Sequence, residues 1–169
     1  PDIASLRLAP DLASICTHAQ RNLDLLTALG ERGCKACIIL SAPASQLAEL
    51  EACASRWQIR LLGPNSLGLL APWQGLNASF SPGPILKGKL AFVSQSAAVS
   101  NTILDWAQQR QLGFSWLIAL GDSLAIDADD LLDFLARAGK TSAILLSLEH
   151  LSDARRFVSA SRSASRNKP

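Results

Sequence analysis

The sequence predicts an α/β protein built from two doubly wound, mainly parallel units. Strand-like and helix-like segments alternate along most of the 169 residues. The strand-like segments are continuous apolar runs, which are typical of parallel sheets that are covered on both faces. A stretch rich in Pro and Gly, residues 63–87, interrupts this alternation. The elements before and after it are therefore predicted to form separate units.

The elements of the first unit follow from the spacing of its apolar residues. Leu23, Leu26 and Leu29 recur at helical spacing, and Gly33 follows them where a helix commonly ends. Three strands and two helices are predicted. The strand ranges are 12–17, 34–40 and 59–62, and the helix ranges are 18–32 and 45–57.

The alternation resumes in the second unit with three further strands and three helices. Asp127 or Asp129 is expected to cap the middle helix, and Ser152 the last one. The strand ranges are 89–94, 115–120 and 142–148, and the helix ranges are 97–111, 129–138 and 153–165. The residues of the first of these helices that are predicted to face the core are Val99, Ile103, Trp106 and Ala107.

The expected domain boundaries lie on either side of the Pro/Gly-rich stretch. Residues 1–70 form the first unit, residues 71–87 a linker and residues 88–169 the second unit. The sequence contains no Met, and it ends after a predicted helix, where an alternating chain would continue with a strand. We therefore expect a piece of a longer polypeptide.

Composition argues against several classes of partner. The net charge is +2, and basic and acidic residues are interspersed, which gives no electrostatic case for nucleic acid. Charged residues interrupt every apolar stretch before it reaches the length of a membrane span, and no signal peptide is recognised. With 49% hydrophobic residues, the chain can bury a sizeable core.

Cys34 and Cys37 have the C-x-x-C spacing of a metal or redox pair. However, Cys37 opens an apolar strand, and strand alternation places the two side chains on opposite faces. Buried, reduced thiols are the favoured interpretation, and they suit a cytoplasmic protein. The aspartates between residues 122 and 133 lack the spacing of a cation-binding loop, so no metal site is predicted.

Small or polar residues follow almost every predicted strand. In doubly wound sheets, ligands bind outside the carboxyl ends of the strands. The residues at these ends are Thr17 and His18, Ser41 to Pro43, Gly63 to Ser66, Ser94 to Ala97, Gly121 and Asp122, and Glu149 and His150. Residues of this size allow a ligand to approach the backbone closely.

The turn Ser94-Gln95-Ser96-Ala97-Ala98 joins an apolar strand to an amphipathic helix. This arrangement can direct backbone N–H groups and hydroxyls at one spot, where they would hold a phosphate or a carboxylate. The alternative is an ordinary helix cap formed by Ser94 or Ser96. The sequence leaves both interpretations open.

Five motifs carry a resemblance to a known family. They are Gly-Pro-Asn-Ser-Leu-Gly-Leu (63–69), Lys-Leu-Ala-Phe-Val-Ser-Gln-Ser-Ala-Ala-Val (89–99), Leu-Asp-Trp-Ala (104–107), Gly-Phe-Ser (113–115) and Leu-Gly-Asp (120–122). With them the chain resembles the NDP-forming acyl-CoA synthetases, which include the α subunit of succinyl-CoA synthetase. The resemblance implies the later part of a CoA-binding Rossmann domain followed by the first part of a flavodoxin-like ligase domain.

Two segments, residues 94–107 and 148–157, resemble more closely the synthetase-like region of Pat-type bacterial protein lysine acetyltransferases. That resemblance implies a cytoplasmic regulatory region that binds acetyl-CoA or CoA and contains no catalytic residue. A GNAT domain outside the chain would acetylate protein substrates such as acyl-CoA synthetases. The resemblance leaves open whether the protein forms homo-oligomers. The alternative is a fragment of an ADP-forming acyl-CoA synthetase that acts through a phosphohistidine outside the chain.

The resemblance also implies site residues. In the synthetases the turn reads Ser-x-Ser-Gly, and Ala97 stands here in place of the Gly. The alternative roles are an Asx-type turn for Asn65 and, for Glu149, a surface ion pair with Arg155 or Arg156. The implied CoA-binding residues are Thr17, His18, Ser41, Ala42, Pro43, Asn65 and Ser66. The implied phosphate-binding residues are Ser94, Gln95, Ser96, Ala97 and Ala98. Asp122 and Glu149 would lie behind the binding residues and orient them without contacting the ligand.

Overall fold

Two sheets organise the computed structural model, which describes residues 3–83 and 85–169. The strands are β1 (Leu12–Ile15), β2 (Ala36–Ile39), β3 (Arg60–Leu62), β4 (Gly68–Ala71), β5 (Leu76–Ser79), β6 (Lys87–Ser94), β7 (Phe114–Ala119) and β8 (Ala143–Ser147). The helices are α1 (Asn22–Glu31), α2 (Leu47–Trp57), α3 (Ala97–Gln109), α4 (Ala128–Arg137) and α5 (Ala154–Ser165). Single 3₁₀ turns occur at Ile3–Ser5, Ala19–Arg21, Ala44–Gln46 and Pro72–Gln74.

The first sheet has the order β1-β2-β3, and all of its strands are parallel. Its central strand β2 is buried on both faces, as its apolar composition predicts, whereas the edge strand β1 is only partly buried. One face packs against α1 and α2 around Leu26, Leu50 and Leu61, which are fully buried. The other face carries Ile38 and Leu62 and packs against the second unit.

The second sheet has the order β5-β4-β7-β6-β8. Strands β6, β7 and β8 are parallel, whereas β4 runs antiparallel to both β5 and β7. Helix α3 covers one face through Leu104 and Ala107. Helix α4 packs on the other face, where it shares a core cluster with the first sheet. The predicted α/β class with mainly parallel sheets is therefore confirmed.

The β4–β5 hairpin lies where the sequence indicated an irregular linker. Pro72 and Gly75 suggest a break in regular structure, but both residues lie in the connection between the two strands. The strands themselves pair over four residues each and extend the second sheet. The domain boundaries at residues 70 and 87 stay a prediction.

Helix starts show which polar side chains act as caps. Ser96 Oγ accepts the Val99 N–H at 3.3 Å at the start of α3, and Asp127 forms a capping box with Asp130 at the start of α4. At the start of α5, Asp153 accepts the N–H groups of the next helical turn. The expectation that Ser152 caps α5 is therefore wrong.

Helix α3 faces the sheet with a different set of residues from the one predicted. Val99 is 38% exposed and Trp106 is 46% exposed, so their predicted inward orientation is wrong. The predicted inward orientation of Ala107 is confirmed, and Ile103 packs partly buried against the same core cluster. The helix also buries Ser100 and Leu104, which the pattern had not placed inward.

Cys34, Cys37 and Cys53 are buried and Cys16 is exposed, and all four are free thiols. Burial raises the pKa of the Cys37 thiol to about 12, which makes it a poor nucleophile at neutral pH. Within the described residues, no group of three or more His, Cys, Asp or Glu side chains is placed to hold a metal ion. In the same residues, no helix is long and apolar enough to cross a membrane.

Candidate functional site

Every predicted site residue lies at or just beyond the carboxyl end of a parallel strand. Thr17 and His18 follow β1, Ser41 to Pro43 follow β2, and Asn65 and Ser66 follow β3. In the second sheet, the turn from Ser94 to Ala98 follows β6, Asp122 follows β7 and Glu149 follows β8. The parallel topology therefore places these residues where a doubly wound sheet binds its ligands.

The loops after β1 and β2 offer exposed polar groups. Thr17, His18, Ser41 and Pro43 are exposed, and only Ala42 is buried. Asn22, at the start of α1, is fully buried, and its Nδ2 donates to the Ser41 carbonyl at 2.8 Å. Asn22 is not among the site residues predicted from the sequence, because its partner Ser41 lies 19 residues away and no local motif marks it.

Asn65 connects three loops rather than standing free. Its Oδ1 accepts the Ala42 N–H at 3.2 Å, and its Nδ2 donates to the Ala42 carbonyl at 3.0 Å and to Asp122 Oδ2 at 2.7 Å. Both amide hydrogens are thus engaged. We therefore expect Asn65 to orient the loop after β2 and not to contact a ligand through its Nδ2.

Ser66 is also held by the protein. The residue is 4% exposed. Its hydroxyl donates to the Ala119 carbonyl and accepts the Gly68 N–H at 2.9 Å. Because these contacts use the hydroxyl inside the fold, we expect Ser66 to shape the site rather than touch CoA.

The loop after β3 lies directly on the loop after β7. The Asp122 N–H donates to the Pro64 carbonyl at 2.9 Å, and the Leu124 N–H donates to the Gly63 carbonyl at 3.3 Å. Gly121 has a φ of +62°, and a Cβ added there would lie 2.1 Å from the Pro64 oxygen. Only glycine permits this approach, and it brings the loop after β7 in the second unit into contact with the loop after β3 in the first.

The turn after β6 contains the predicted helix cap, and its role in anion binding stays a prediction. Ser96 caps α3 with its hydroxyl, and its own N–H donates to Ser94 Oγ at 3.0 Å. Among the described residues, the N–H groups of Ala97 and Ala98 have no hydrogen-bond partner. Ala97 is half-buried and Ala98 is exposed, so two N–H groups at the positive end of a 13-residue helix remain available to an anion.

Gln95 is buried, although the sequence analysis placed it among the phosphate-binding residues. Its Oε1 accepts the N–H groups of Glu149 at 2.7 Å and His150 at 3.1 Å. Its Nε2 donates to Ser123 Oγ at 3.3 Å and to the His150 carbonyl at 3.1 Å. All four contacts are internal, so the side chain holds the loops after β7 and β8 against the turn.

Glu149 is exposed, and its carboxylate is not paired as expected. Arg156 instead contacts Asp129 at 2.7 Å and Asp130 at 3.3 Å. The prediction of a Glu149 ion pair with Arg155 or Arg156 is therefore not supported within residues 3–83 and 85–169. The Glu149 side chain remains available at the carboxyl end of β8.

Matches to protein families agree with this arrangement. Residues 1–72 match the family model described as a CoA binding domain, and residues 87–169 match a succinyl-CoA ligase like flavodoxin domain. Together with the two sheets, these matches define the class. The chain is an acyl-CoA-synthetase-like region, with a CoA-binding Rossmann-like domain followed by a flavodoxin-like ligase domain.

The chain is similar to two curated proteins along most of its length. It is 30% identical to acetate–CoA ligase (ADP-forming) I of Archaeoglobus fulgidus over 100% of the chain and 26% of that protein. It is 33% identical to acetate–CoA ligase (ADP-forming) I subunit alpha of Pyrococcus furiosus over 94% of the chain and 36% of that protein. The chain thus spans about a quarter to a third of the length of these relatives.

A solved structure supports the same similarity. The apo form of the dinucleotide-forming acetyl-coenzyme A synthetase 1 of Ca. Korarchaeum cryptofilum superposes with a TM-score of 0.95 at 28% identity. The match covers 100% of this chain and 39% of that one. The same synthetase in complex with phosphate and ADP superposes with the same TM-score.

These relatives contradict the predicted similarity to protein lysine acetyltransferases. The two curated relatives named above are ADP-forming acetate–CoA ligases, and the domain matches are a CoA binding domain and a succinyl-CoA ligase like flavodoxin domain. Nothing among them supports lysine acetylation or protein substrates. The earlier interpretation relied on short runs around the Ser94 turn and β8, and such runs do not distinguish an acetyltransferase's synthetase-like region from a synthetase.

Proposed function

We propose that this chain is the CoA-binding and phosphate-binding part of an ADP-forming acyl-CoA synthetase. The observation that carries the proposal is the alignment with ADP-forming acetate–CoA ligases along 94% to 100% of the chain. The order of the two domains also supports it. The complete reaction would join acetate and CoA, convert ATP to ADP and release phosphate.

CoA is proposed to lie across the loops after β1, β2 and β3. The exposed residues Thr17, His18, Ser41 and Pro43 are the groups available to it. Ser66 lies beneath this surface, whereas Asn65 is exposed, and the side chains of both residues are engaged by the protein. In the proposal these two residues orient the loops, and the exposed residues contact the ligand.

Phosphate is proposed to bind at the N-terminus of α3. The unpartnered N–H groups of Ala97 and Ala98 would donate to its oxygens, and the helix dipole would favour its negative charge. The methyl group of Ala97 leaves its N–H accessible because the residue is only half-buried. We assign no nucleophile to this chain; its residues bind and orient.

The proposal is tested with the full-length protein in two assays. Isothermal titration calorimetry measures the binding of CoA and of inorganic phosphate, and a coupled assay measures acetyl-CoA formation from acetate, ATP and CoA. We expect binding of both ligands and turnover. Absence of CoA binding at millimolar concentrations would contradict the proposal.

Two variants of Ala97 test the phosphate site separately. Ala97→Asp places a carboxylate beside the free N–H groups and should weaken phosphate binding by at least roughly fivefold, through repulsion and competition for the helix dipole. Ala97→Asn has nearly the same size without the charge and serves as the matched control. Equal phosphate affinity of the two variants would argue against a site at this turn.

A further inference from the structure

Three side-chain amides connect the loops that follow the parallel strands. Asn22 lies at the start of α1, Asn65 follows β3, and Gln95 follows β6. Each of them binds the main chain of a loop distant in the sequence. We call these three residues and their hydrogen bonds the amide bridge.

The first half of the amide bridge reaches from α1 to the second unit. Asn22 Nδ2 holds the Ser41 carbonyl, and the next residue, Ala42, exchanges two hydrogen bonds with the Asn65 side chain. The remaining Nδ2 hydrogen of Asn65 is donated to Asp122 Oδ2 at 2.7 Å. The loop after β2 is thus connected to a carboxylate from the second unit.

The second half continues from the neighbour of Asp122. Ser123 Oγ accepts a hydrogen bond from Gln95, which also binds both N–H groups and one carbonyl in the Glu149–His150 segment. Ser123 and Gln95 are 9% and 7% exposed. The amide bridge therefore extends from the proposed CoA loops to the proposed phosphate turn.

Asp122 adds a third hydrogen bond to the Asn65 amide, whose orientation already matches the N–H and carbonyl of Ala42. The left-handed backbone of Asn65, with φ of 58°, places its side chain between Ala42 and Asp122. A carboxylate accepts but does not donate, so it binds the Nδ2 end of the amide and leaves Oδ1 for the Ala42 N–H. Without this acceptor, the Asn65 side chain keeps its two partners in Ala42 but is no longer anchored to the second unit, so the loop after β2 is held less firmly.

We propose that Asp122 is a positioning residue for the CoA loop formed by residues 41–43, and that it acts through Asn65. This inference rests on the proposed CoA site. It states that CoA affinity depends on a hydrogen-bond acceptor in the second unit that need not touch CoA. Such a link makes the geometry of the CoA loops depend on correct contact between the two units.

The test compares three variants of the full-length protein by calorimetric titration with CoA. Asp122→Ala removes the acceptor and should weaken CoA binding about three- to tenfold, less than the full effect of losing a charge-assisted hydrogen bond because Asp122 acts on CoA only through the loop. Asp122→Asn retains an acceptor oxygen and should restore most of the affinity. Asp133→Ala removes an exposed acidic residue from α4 and serves as the control for charge.

Two results would overturn the inference. Wild-type affinity in Asp122→Ala would show that the loop does not depend on the acceptor. Equal weakening in Asp122→Asn and Asp122→Ala would show that the charge matters rather than the acceptor. Equal thermal midpoints of the variants exclude general unfolding as the cause of a weaker affinity.

Amide hydrogen exchange without ligand separates this inference from the proposed function. The Ala42 N–H donates to Asn65 Oδ1, so it should exchange faster in Asp122→Ala, while the N–H groups of β6 keep their protection. If the wild type fails to bind CoA, the proposed function fails, and exchange at Ala42 still tests the link. Unchanged exchange at Ala42 would refute the link itself.

Discussion

Gly121 shows how a single residue can determine contact between the two units. Its φ of +62° is left-handed, and its α-carbon faces the backbone of Pro64 and Asn65. A side chain at this position would be strained by its backbone conformation and would also strike a carbonyl oxygen. The contact therefore depends on the absence of a Cβ.

Gly121→Ala should destabilise the protein by about 2–3 kcal/mol, because backbone strain and steric overlap act together. Gly75→Ala is the matched control, since Gly75 has a similar φ of +69° but no atom within 4 Å of an added Cβ. We expect a smaller loss for Gly75→Ala. Urea unfolding at equilibrium measures both, and equal losses would mean that the contact with Pro64 adds nothing.

Asp129 is a buried carboxyl at the start of α4. Its side chain contacts Arg156 at 2.7 Å, but burial has the larger effect and raises the pKa of Asp129 above its ordinary value of 3.8. Just above pH 3.8, the folded protein therefore retains a proton that the unfolded chain has released. The free energy of unfolding contributed by this group falls as pH rises through that window.

Asp129→Asn removes this titration. The stability of the wild type relative to Asp129→Asn should decrease as pH rises from about 3.8 through the raised pKa, and then level off towards neutral pH. Urea unfolding of both proteins between acidic and neutral pH measures this difference. A relative stability that increases with pH would contradict the expected sign. Asp133→Asn, on the same helix, is the control.

At the scale of elements, the start of α5 offers two candidate caps next to each other. Ser152 and Asp153 both precede the helix, but Asp153 Oδ1 accepts the N–H groups of Arg155 at 2.9 Å and Arg156 at 3.0 Å. The two candidates differ by one position in where the helix begins, and a local pattern of capping residues does not distinguish between them.

Asp153→Ala should cost roughly 1 kcal/mol, because two N–H groups of the first turn lose their acceptor. Ser152→Ala changes a neighbouring exposed residue and should have almost no effect. Denaturant midpoints of the two variants provide the measurement. A larger loss for Ser152→Ala would show that the helix begins one residue earlier.

The outer face of α3 carries two of the side chains that the sequence pattern had placed inside, Val99 and Trp106. Trp106 lies there with the Arg110 guanidinium 4.7 Å from its ring centroid. This cation–π contact covers part of the indole and leaves it partly exposed. Periodicity therefore identified the helix and part of its inward face, Ile103 and Ala107, but not the whole of that face.

At the scale of the whole molecule, the two units share a hydrophobic core cluster. Ile38, Leu40 and Leu62 from the first sheet pack with residues of β6, β7 and α4. Leu124, from the loop after β7, packs in turn against the core of the first unit. Shared burial of this kind couples the stability of the units.

Leu62→Ala should therefore separate the unfolding of the two units as well as lower stability by about 2–5 kcal/mol. Trp57 reports on the first unit and Trp116 on the second, so single-tryptophan variants can follow each unit by fluorescence. We expect coincident transitions in the wild type and separate ones with Leu62→Ala. Leu26→Ala, within the first core alone, is the control. Coincident transitions with Leu62→Ala would show that the coupling does not depend on Leu62, and separate transitions in the wild type would contradict the coupling itself.

The sequence alone determined the α/β class, the order of most elements and the loops in which the candidate site lies. These features depend on apolar periodicity and on strand–helix alternation, which are local properties of the chain. The predicted strand at residues 89–94 and helix at residues 97–111 correspond to β6 and α3 for this reason. The N–H groups at the start of α3 could likewise be inferred from a strand-to-helix turn.

Only the tertiary structure decided which polar groups in those loops are engaged. Asn65 and Asp122 are 57 residues apart, and Gln95 and His150 are 55 residues apart, yet each pair is hydrogen bonded. The β4–β5 hairpin likewise acquired its place by pairing with β7, a strand that comes more than 30 residues later. Such contacts follow from the packing of whole sheets, and no local pattern carries that information.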